Sequence, residues 1–220
     1  MRACAADASP HMQPRTSRRT KRMTFAQELA SWRAPPKIPV ATPPTIGSKA
    51  PSTPALPIPA VDGRPVVVTF LRHCGCPFAE ATFLDLREAA SKNPTVRFVA
   101  VSHSDQASTD KWLKDVGGTA SPSSSNAVDV IVDPERKTYA AWGLGTSSFA
   151  HVLSPAGLYA VYKIGKERGI WNRPTESGSR WQTAGSWAVD GKGLVRWGSV
   201  ARRADVVPDF GEAVEAVKAS

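Results

Sequence analysis

Nine of the nineteen prolines fall between Ala34 and Ala60. Proline lacks an N–H and fixes φ, so this stretch can form neither a regular helix nor a central strand. It must be an extended arm, either a free linker or a strip laid along a folded body. Ile38, Val40, Ile46, Leu56 and Ile58 are interleaved with the prolines. A free linker has little use for aliphatic side chains, whereas a docked arm needs them as anchors. The spacing therefore predicts that residues 46–59 dock on the body with Leu56 and Ile58 buried. The chain before about residue 44 is expected to be held more loosely. The arm ends at Asp62-Gly63-Arg64-Pro65, a turn that enters a strand.

The rest of the chain has to supply the body. With 220 residues, 41% of them hydrophobic, it suffices for one domain with a real core. No apolar run approaches the ~18 residues that would span a bilayer. Three cysteines exclude a disulfide-rich scaffold. The net charge of +9 would suggest nucleic acid, but residues 1–23 carry six basic side chains against Asp7, more than half of the excess. No aromatics are interleaved there and no binding module follows, so neither nucleic acid nor membrane is an expected partner. No apolar core follows the basic stretch, so it does not read as a secretory signal. The expected organisation is a disordered basic extension over 1–23, a short helix and proline-rich arm over 24–45, and one domain over 46–220. A cytoplasmic location is expected, with mitochondrial targeting by the basic segment as the lesser alternative.

From Pro65 onward strands and helices alternate. Val66 to Leu71 reads as a strand buried on both faces, Pro77 to Ser91 as a helix, and Val96 to Ser102 as a second strand. A short helix spans Ser108 to Val116, a strand Val128 to Val132, and a helix Pro134 to Trp142. Phe149 to Ile164 is helical or irregular, interrupted at Pro155. Ser186 to Val189 and Leu194 to Val200 form a hairpin around Asp190-Gly191-Lys192-Gly193. A last helix follows Pro208, with Phe210, Val214 and Val217 on one face. This order predicts a three-layer α/β/α domain with a mixed central sheet.

The chemistry concentrates in Arg72-His73-Cys74-Gly75-Cys76-Pro77. A buried strand delivers two cysteines to a turn, and Pro77 opens a helix. Cys76 is thus expected at the helix N-terminus, where unpaired N–H groups and the helix dipole favour an anion. A thiolate is the reactive form of cysteine, and Arg72 and His73 add nearby positive charge. Gly75 permits a tight turn and close approach to the backbone. The lip of the sheet is usually open, so Cys76 is expected to be partly exposed and the more reactive thiol. The structural alternative is two buried cysteines acting as small hydrophobes. A zinc site is not expected, because His73, Cys74 and Cys76 fall within four residues and no second ligand pair appears. No cofactor motif is present.

This turn resembles the peroxiredoxin-like branch of the alkyl hydroperoxide reductase/thiol-specific antioxidant (AhpC/TSA) family. So do Ile46-Gly47-Ser48-Lys49-Ala50-Pro51, Leu56, Asp62-Gly63-Arg64-Pro65, the Asp133-Pro134 segment with Tyr139 and Leu144, and Trp181 to Asp190. The resemblance spans about residues 46–218. It implies a thioredoxin-like fold and a thiol-dependent antioxidant oxidoreductase that reduces hydroperoxides, or another small oxidised substrate, through a peroxidatic Cys76. A thiol reductant, thioredoxin or glutathione, is the implied partner, and the resemblance admits a homodimer. Cys74, His73 and Arg72 are the implied catalytic neighbours, with Gly75, Pro77 and Arg180 on the substrate side. The family's arginine has no clean counterpart before Ser186; Arg180 is the nearest basic residue and reads first as an ordinary surface charge. The family pattern Pro-x-x-x-Thr-x-x-Cys is replaced here, with Thr69 at the Pro position and His73 at the Thr position. Relatives often carry a second cysteine where this chain has Ala79, which leaves Cys74 as the nearby resolving candidate. These departures keep open a non-catalytic module of the same fold that senses redox state or binds a partner.

Elsewhere, His103 follows the second strand and could line the same sheet edge, but it reads first as a solvated loop histidine, and His151 reads as a packing residue. Trp171, Trp181, Trp187 and Trp197 read as core or cleft walls. Ser121 to Ser125 reads as a flexible loop.

Overall fold

A computed structural model describes residues 29–121, 126–147, 155–175 and 177–219. The basic extension, the start of the first helix, Cys4, residues 122–125 and His151 lie outside these. Five strands form one sheet in the order β3-β2-β1-β4-β5. They are β1 (Val66–Phe70), β2 (Arg97–Ser102), β3 (Asp129–Val132), β4 (Gly185–Val189) and β5 (Val195–Val200). β1 pairs parallel with β2 and antiparallel with β4, so the sheet is mixed, as expected. β1 and β4 are buried throughout, which is why β1 reads as a near-continuous apolar run without alternation.

The helices are α1 (Pro77–Lys92), α2 (Gln106–Asp115), α3 (Lys137–Ala141), α4 (Pro155–Arg168) and α5 (Phe210–Lys218). One core holds Val67 and Leu71 of the β1 region with Phe83 and Leu86 of α1, Trp112 of α2, and Phe210, Val214 and Val217 of α5. Alternate β1 residues Val66, Val68 and Phe70 face a second core with Tyr139, Trp142 and Trp187. Phe70 sits at the centre of this aromatic group, 5.1 Å from Tyr139, 5.4 Å from Trp142 and 5.8 Å from Trp187 between ring centroids.

The five-residue α3 is too short to cover that second face, and the proline-rich arm completes the layer. Leu56 and Ile58 are buried in the second core, as the spacing predicts. Residues 47–50 run beside β5: the Gly47 and Ala50 N–H groups donate to Val195 and Gly193, and Val195 N–H donates to Ser48. The looser attachment expected before residue 44 holds for burial, since no residue from 33 to 44 is buried, but hydrogen bonds still tie the segment to the body. Ala41 N–H donates to the Ala140 carbonyl, Arg136 Nη2 donates to Pro36 at 2.7 Å, and Trp187 Nε1 donates to Pro44 at 3.2 Å. The large aromatic surface of the second core needs cover, and the early prolines supply part of it.

Three element boundaries also differ from expectation. α3 starts after Arg136, whose positive φ of 59° breaks the helix that Pro134 would open. The Asp133 carboxylate instead accepts from the N–H groups of Lys137, Thr138 and Tyr139. α2 starts earlier than expected because Asp105 caps it through Ser108 N–H. α4 runs past the expected end at Ile164 to Arg168, and the expected residues 149–154 lie outside the described residues. Among the described residues no helix is long and apolar enough to cross a membrane.

Candidate active site around the cysteine turn

The end of β1 is fixed from both sides. Leu71 N–H donates to Val101 of β2. The buried Tyr139 hydroxyl lies 2.7 Å from the carbonyl oxygens of both Leu71 and Val101 and donates its one proton to either. The chain then turns through His73-Cys74-Gly75-Cys76, closed by Cys76 N–H donating to His73 at 3.0 Å. Gly75 has φ 131°, which an L side chain rarely adopts. Cys76 caps α1 and its carbonyl accepts the Glu80 N–H, but its side chain makes no cap hydrogen bond. Cys76 is therefore at the helix N-terminus, where the sequence places it.

Both cysteines are free, and both are buried, Cys74 5% and Cys76 7% exposed. The expected exposure of Cys76 is thus corrected. A strap of residues 173–175 covers the lip of the sheet. Arg173 N–H donates to the Gly75 carbonyl at 3.0 Å. A Cβ on Gly75 would lie 2.9 Å from the Arg173 carbonyl oxygen. The strap is pinned to α1 by a two-point ion pair, Arg173 Nε to Glu80 Oε2 at 2.7 Å and Nη2 to Oε1 at 2.9 Å. A cavity of about 60 Å3 remains between strap and α2, bounded by Cys74, Lys111, Trp112 and Arg173.

Cys74 is held by hydroxyls. Its Sγ lies 3.5 Å from Ser102 Oγ and 3.9 Å from Thr109 Oγ1, and its N–H donates to Ser104 Oγ at 3.2 Å. Burial pushes its thiol up, against the smaller opposing effect of these hydrogen bonds.

Arg72 and His73 are both buried. Arg72 Nη2 donates to the Arg180 carbonyl at 2.8 Å, while its Nε and Nη1 have no hydrogen-bond partner. Both His73 ring nitrogens also lack a partner. Burial, and then the nearby Arg180 and Arg72 cations, hold His73 well below the usual histidine range and keep it neutral. Buried polar atoms without a partner are uncommon in native structures, and four of them fall on these two residues. Arg180 is not a plain surface charge. Its Nε donates to Ser31 at 2.9 Å and its Nη2 to Thr175 at 3.0 Å, and its guanidinium stacks over Trp32 at 4.8 Å. Pro77 occupies the first position of α1, where its missing N–H costs nothing.

His103 is a residue that sequence reasoning undervalued. It is buried, with Nε2 3.1 Å from both the N and O of Ser179, and packs edge-on to Tyr139. Its place at the end of β2, level with the cysteine turn, was the available signal. Burial lowers its pKa to about 4. Unfolding returns the side chain to about 6.5, so the unfolded state binds the proton first. The stabilisation from neutral His103 is fully present above pH ~6.5 and is lost as pH falls from there to about 4. The urea midpoint is expected to drop over that window, and less so in His103→Gln. An equal drop in both proteins would assign the acid sensitivity elsewhere, His73 being the next candidate.

Among the tryptophans of the last third, Trp187 and Trp181 are buried as expected, whereas Trp171 is exposed. Among the described residues no group of three or more His, Cys, Asp or Glu side chains could hold a metal ion.

No family model matches the chain, and no curated protein matches it by sequence. Solved structures do match. A thiol peroxidase from Chromobacterium violaceum superposes with a TM-score of 0.51 at 11% identity, over 83% of this chain and 91% of its own. A peroxiredoxin-like protein from Aquifex aeolicus gives 0.52 at 14% identity, over 83% and 91%. A mutant of peroxiredoxin 6 from Arenicola marina gives 0.52 at 13% identity, over 79% and 72%. The fold is the thioredoxin-like α/β fold, as the sequence resemblance implied.

Proposed function

We propose that the chain is a thiol-dependent oxidoreductase that reduces hydroperoxides through Cys76. The observation that carries this is the position of Cys76: a cap residue with an unengaged side chain, at the N-terminus of α1, on the same turn that carries the orphaned donors of Arg72 and His73. The Cys76 thiolate attacks one peroxide oxygen and the O–O bond breaks. The departing oxygen takes the proton the thiol has given up and leaves as alcohol or water, and Cys76 becomes a sulfenic acid. A second thiol condenses with it, releasing water and forming a disulfide, which a further thiol reduces. Cys74 is the weaker resolving candidate, because burial keeps it protonated. A small thiol or dithiol protein of the glutathione or thioredoxin class is the stronger one. Gly75, Pro77 and Arg180 shape the approach to the sulfur.

One equivalent of hydroperoxide followed by dimedone, read by mass spectrometry, tests this reading. A sulfenic-acid adduct on Cys76 is expected. Its absence, or an adduct confined to Cys74, would defeat the assignment. The burial of both thiols favours a second reading, a redox-sensing or binding module without turnover. That module would give the adduct but no sustained consumption of hydroperoxide with glutathione or thioredoxin present.

A further inference from the structure

A cavity of about 490 Å3 lies on the α1/α5 side of the sheet, a volume typical of small-molecule sites. Neither cysteine lines it. Its floor is the sheet beyond the Thr69–Ser186 pair, whose hydroxyls bond each other at 2.7 Å. Its walls are largely apolar: Phe78 of α1, Leu71, Trp197 of β5, and Val206, Val207 and Pro208 of the connection to α5. Ile46, 68% exposed, and Val206, 42% exposed, stand at its mouth with their apolar surface in water. Enclosed apolar surface with an exposed apolar rim is a cost to the free protein that a ligand removes.

The charge at this cavity is unbalanced. Arg72, Arg202 and Arg203 line it against one acid, Asp209. The Asp209 carboxylate is engaged by the N–H groups of Gly211 and Glu212 as the cap of α5. Arg203 is neutralised by Asp205, with contacts of 3.0 and 2.9 Å. Arg72 is buried, with Nη2 donating to the Arg180 carbonyl and Nε and Nη1 without a partner, and it lies too deep to meet a ligand at the mouth. Arg202 is exposed and has no carboxylate partner among the described residues.

We propose that this cavity binds a small organic anion with an apolar body, of the alkyl or aryl carboxylate class, its carboxylate pairing with Arg202 at the mouth. The cavity shares Arg72 with the cysteine turn, but neither thiol lines it, and the binding proposed does not require the thiol chemistry. Sodium octanoate is the probe, with 1-octanol as its uncharged counterpart, titrated calorimetrically into the full chain and into Cys76→Ser. Octanoate should saturate one site equally in both, and 1-octanol should bind about tenfold more weakly. Arg202→Glu, a change at an exposed position, should weaken octanoate about three- to tenfold. Ser199→Trp should abolish binding: Ser199 pairs with Ser186 across β4 and β5, so its side chain shares the cavity face, and it is exposed enough to accept the ring. Folding of both variants is checked by circular dichroism. No octanoate binding up to about 5 mM overturns the proposal. So does binding that survives Ser199→Trp in a folded protein, or 1-octanol and octanoate binding alike. A failed dimedone assay would leave this result untouched, and a failed titration would leave the Cys76 reading untouched.

Discussion

Arg173→Met is expected to raise the alkylation rate of Cys76 and Cys74 by about ten- to hundredfold, because it unpins the strap that packs on the turn between them. The strap holds by few contacts. Its backbone meets the turn through the Arg173 N–H and the Gly75 carbonyl. Its side chain meets α1 through the two-point pair with Glu80. The Glu80 side chain is only 8% exposed while that of Arg173 is 38% exposed. Loss of Arg173 therefore strands a buried carboxylate, which draws in water or a proton. A hydrogen bond to a charged group contributes about 1.5–3 kcal/mol, reduced here by the exposure of the arginine. About 1.4–2.8 kcal/mol of easier opening corresponds to the expected rate increase. Arg173→Lys should fall between, since an ammonium cannot reproduce the paired geometry. Iodoacetamide labelling followed by mass spectrometry measures both thiols at once. An unchanged rate in a folded Arg173→Met protein would show that the cysteines are shielded by something other than the strap. If Cys76 is the peroxidatic thiol, the same variant should also speed its first reaction with hydroperoxide.

The strap also shows where sequence reading stops. The turn at residues 73–76 and the helix after it were legible because strand, glycine, cysteine and proline are contiguous. Their physical signals are local: a β-branched run, a glycine that tolerates positive φ, and a proline at the first helical position. The cover over that turn comes from residues 173–175, about a hundred positions later, and nothing in their composition marks it. Glu80 and Arg173 look like ordinary surface charges on a helix and a loop. Only the fold brings them together, so the thiol expected at an open lip is buried. His103 failed for the same reason, since the Ser179 backbone that covers it arrives from the distant segment before β4. Arg180 belongs to that segment too, and its contacts with Ser31 and Trp32 depend on the arm reaching across. The mixed sheet was more readily legible, because each strand carries its own apolar run and the hairpin its own Asp-Gly turn. There Asp190 Oδ1 accepts from the N–H groups of Lys192 and Leu194, both at 2.9 Å, which is what an aspartate at that position is for.

Leu56→Ala is expected to destabilise the whole domain by about 2–5 kcal/mol, the usual range for emptying a buried leucine site. Leu56 is 0% exposed and packs in the second core with Val66, Val68, Phe70, Trp142 and Trp187. The arm cannot easily move in to fill the space, because its local turn is fixed. Thr53 N–H donates to the Leu56 carbonyl at 3.0 Å, Leu56 N–H donates back to the Thr53 carbonyl at 3.1 Å, and Ile58 N–H donates to Ser52 Oγ at 3.0 Å. A side chain held at a fixed point over rigid aromatic rings leaves a real cavity when it is shortened, which places the cost toward the upper part of the range. Val61, fully outside the core at the following turn, gives the control, and Val61→Ala should stay within about 0.5 kcal/mol of the wild type. Urea unfolding should show one transition for each protein, with the Leu56→Ala midpoint lowered and the slope unchanged. A single lowered transition means that the proline-rich arm is a layer of the domain, cooperative with the sheet it covers. A near-neutral Leu56→Ala, or a separate early transition, would mean that the arm binds a body that is already stable without it. The aromatic core around Phe70 would then have to be stable with one face open to water, which its size argues against.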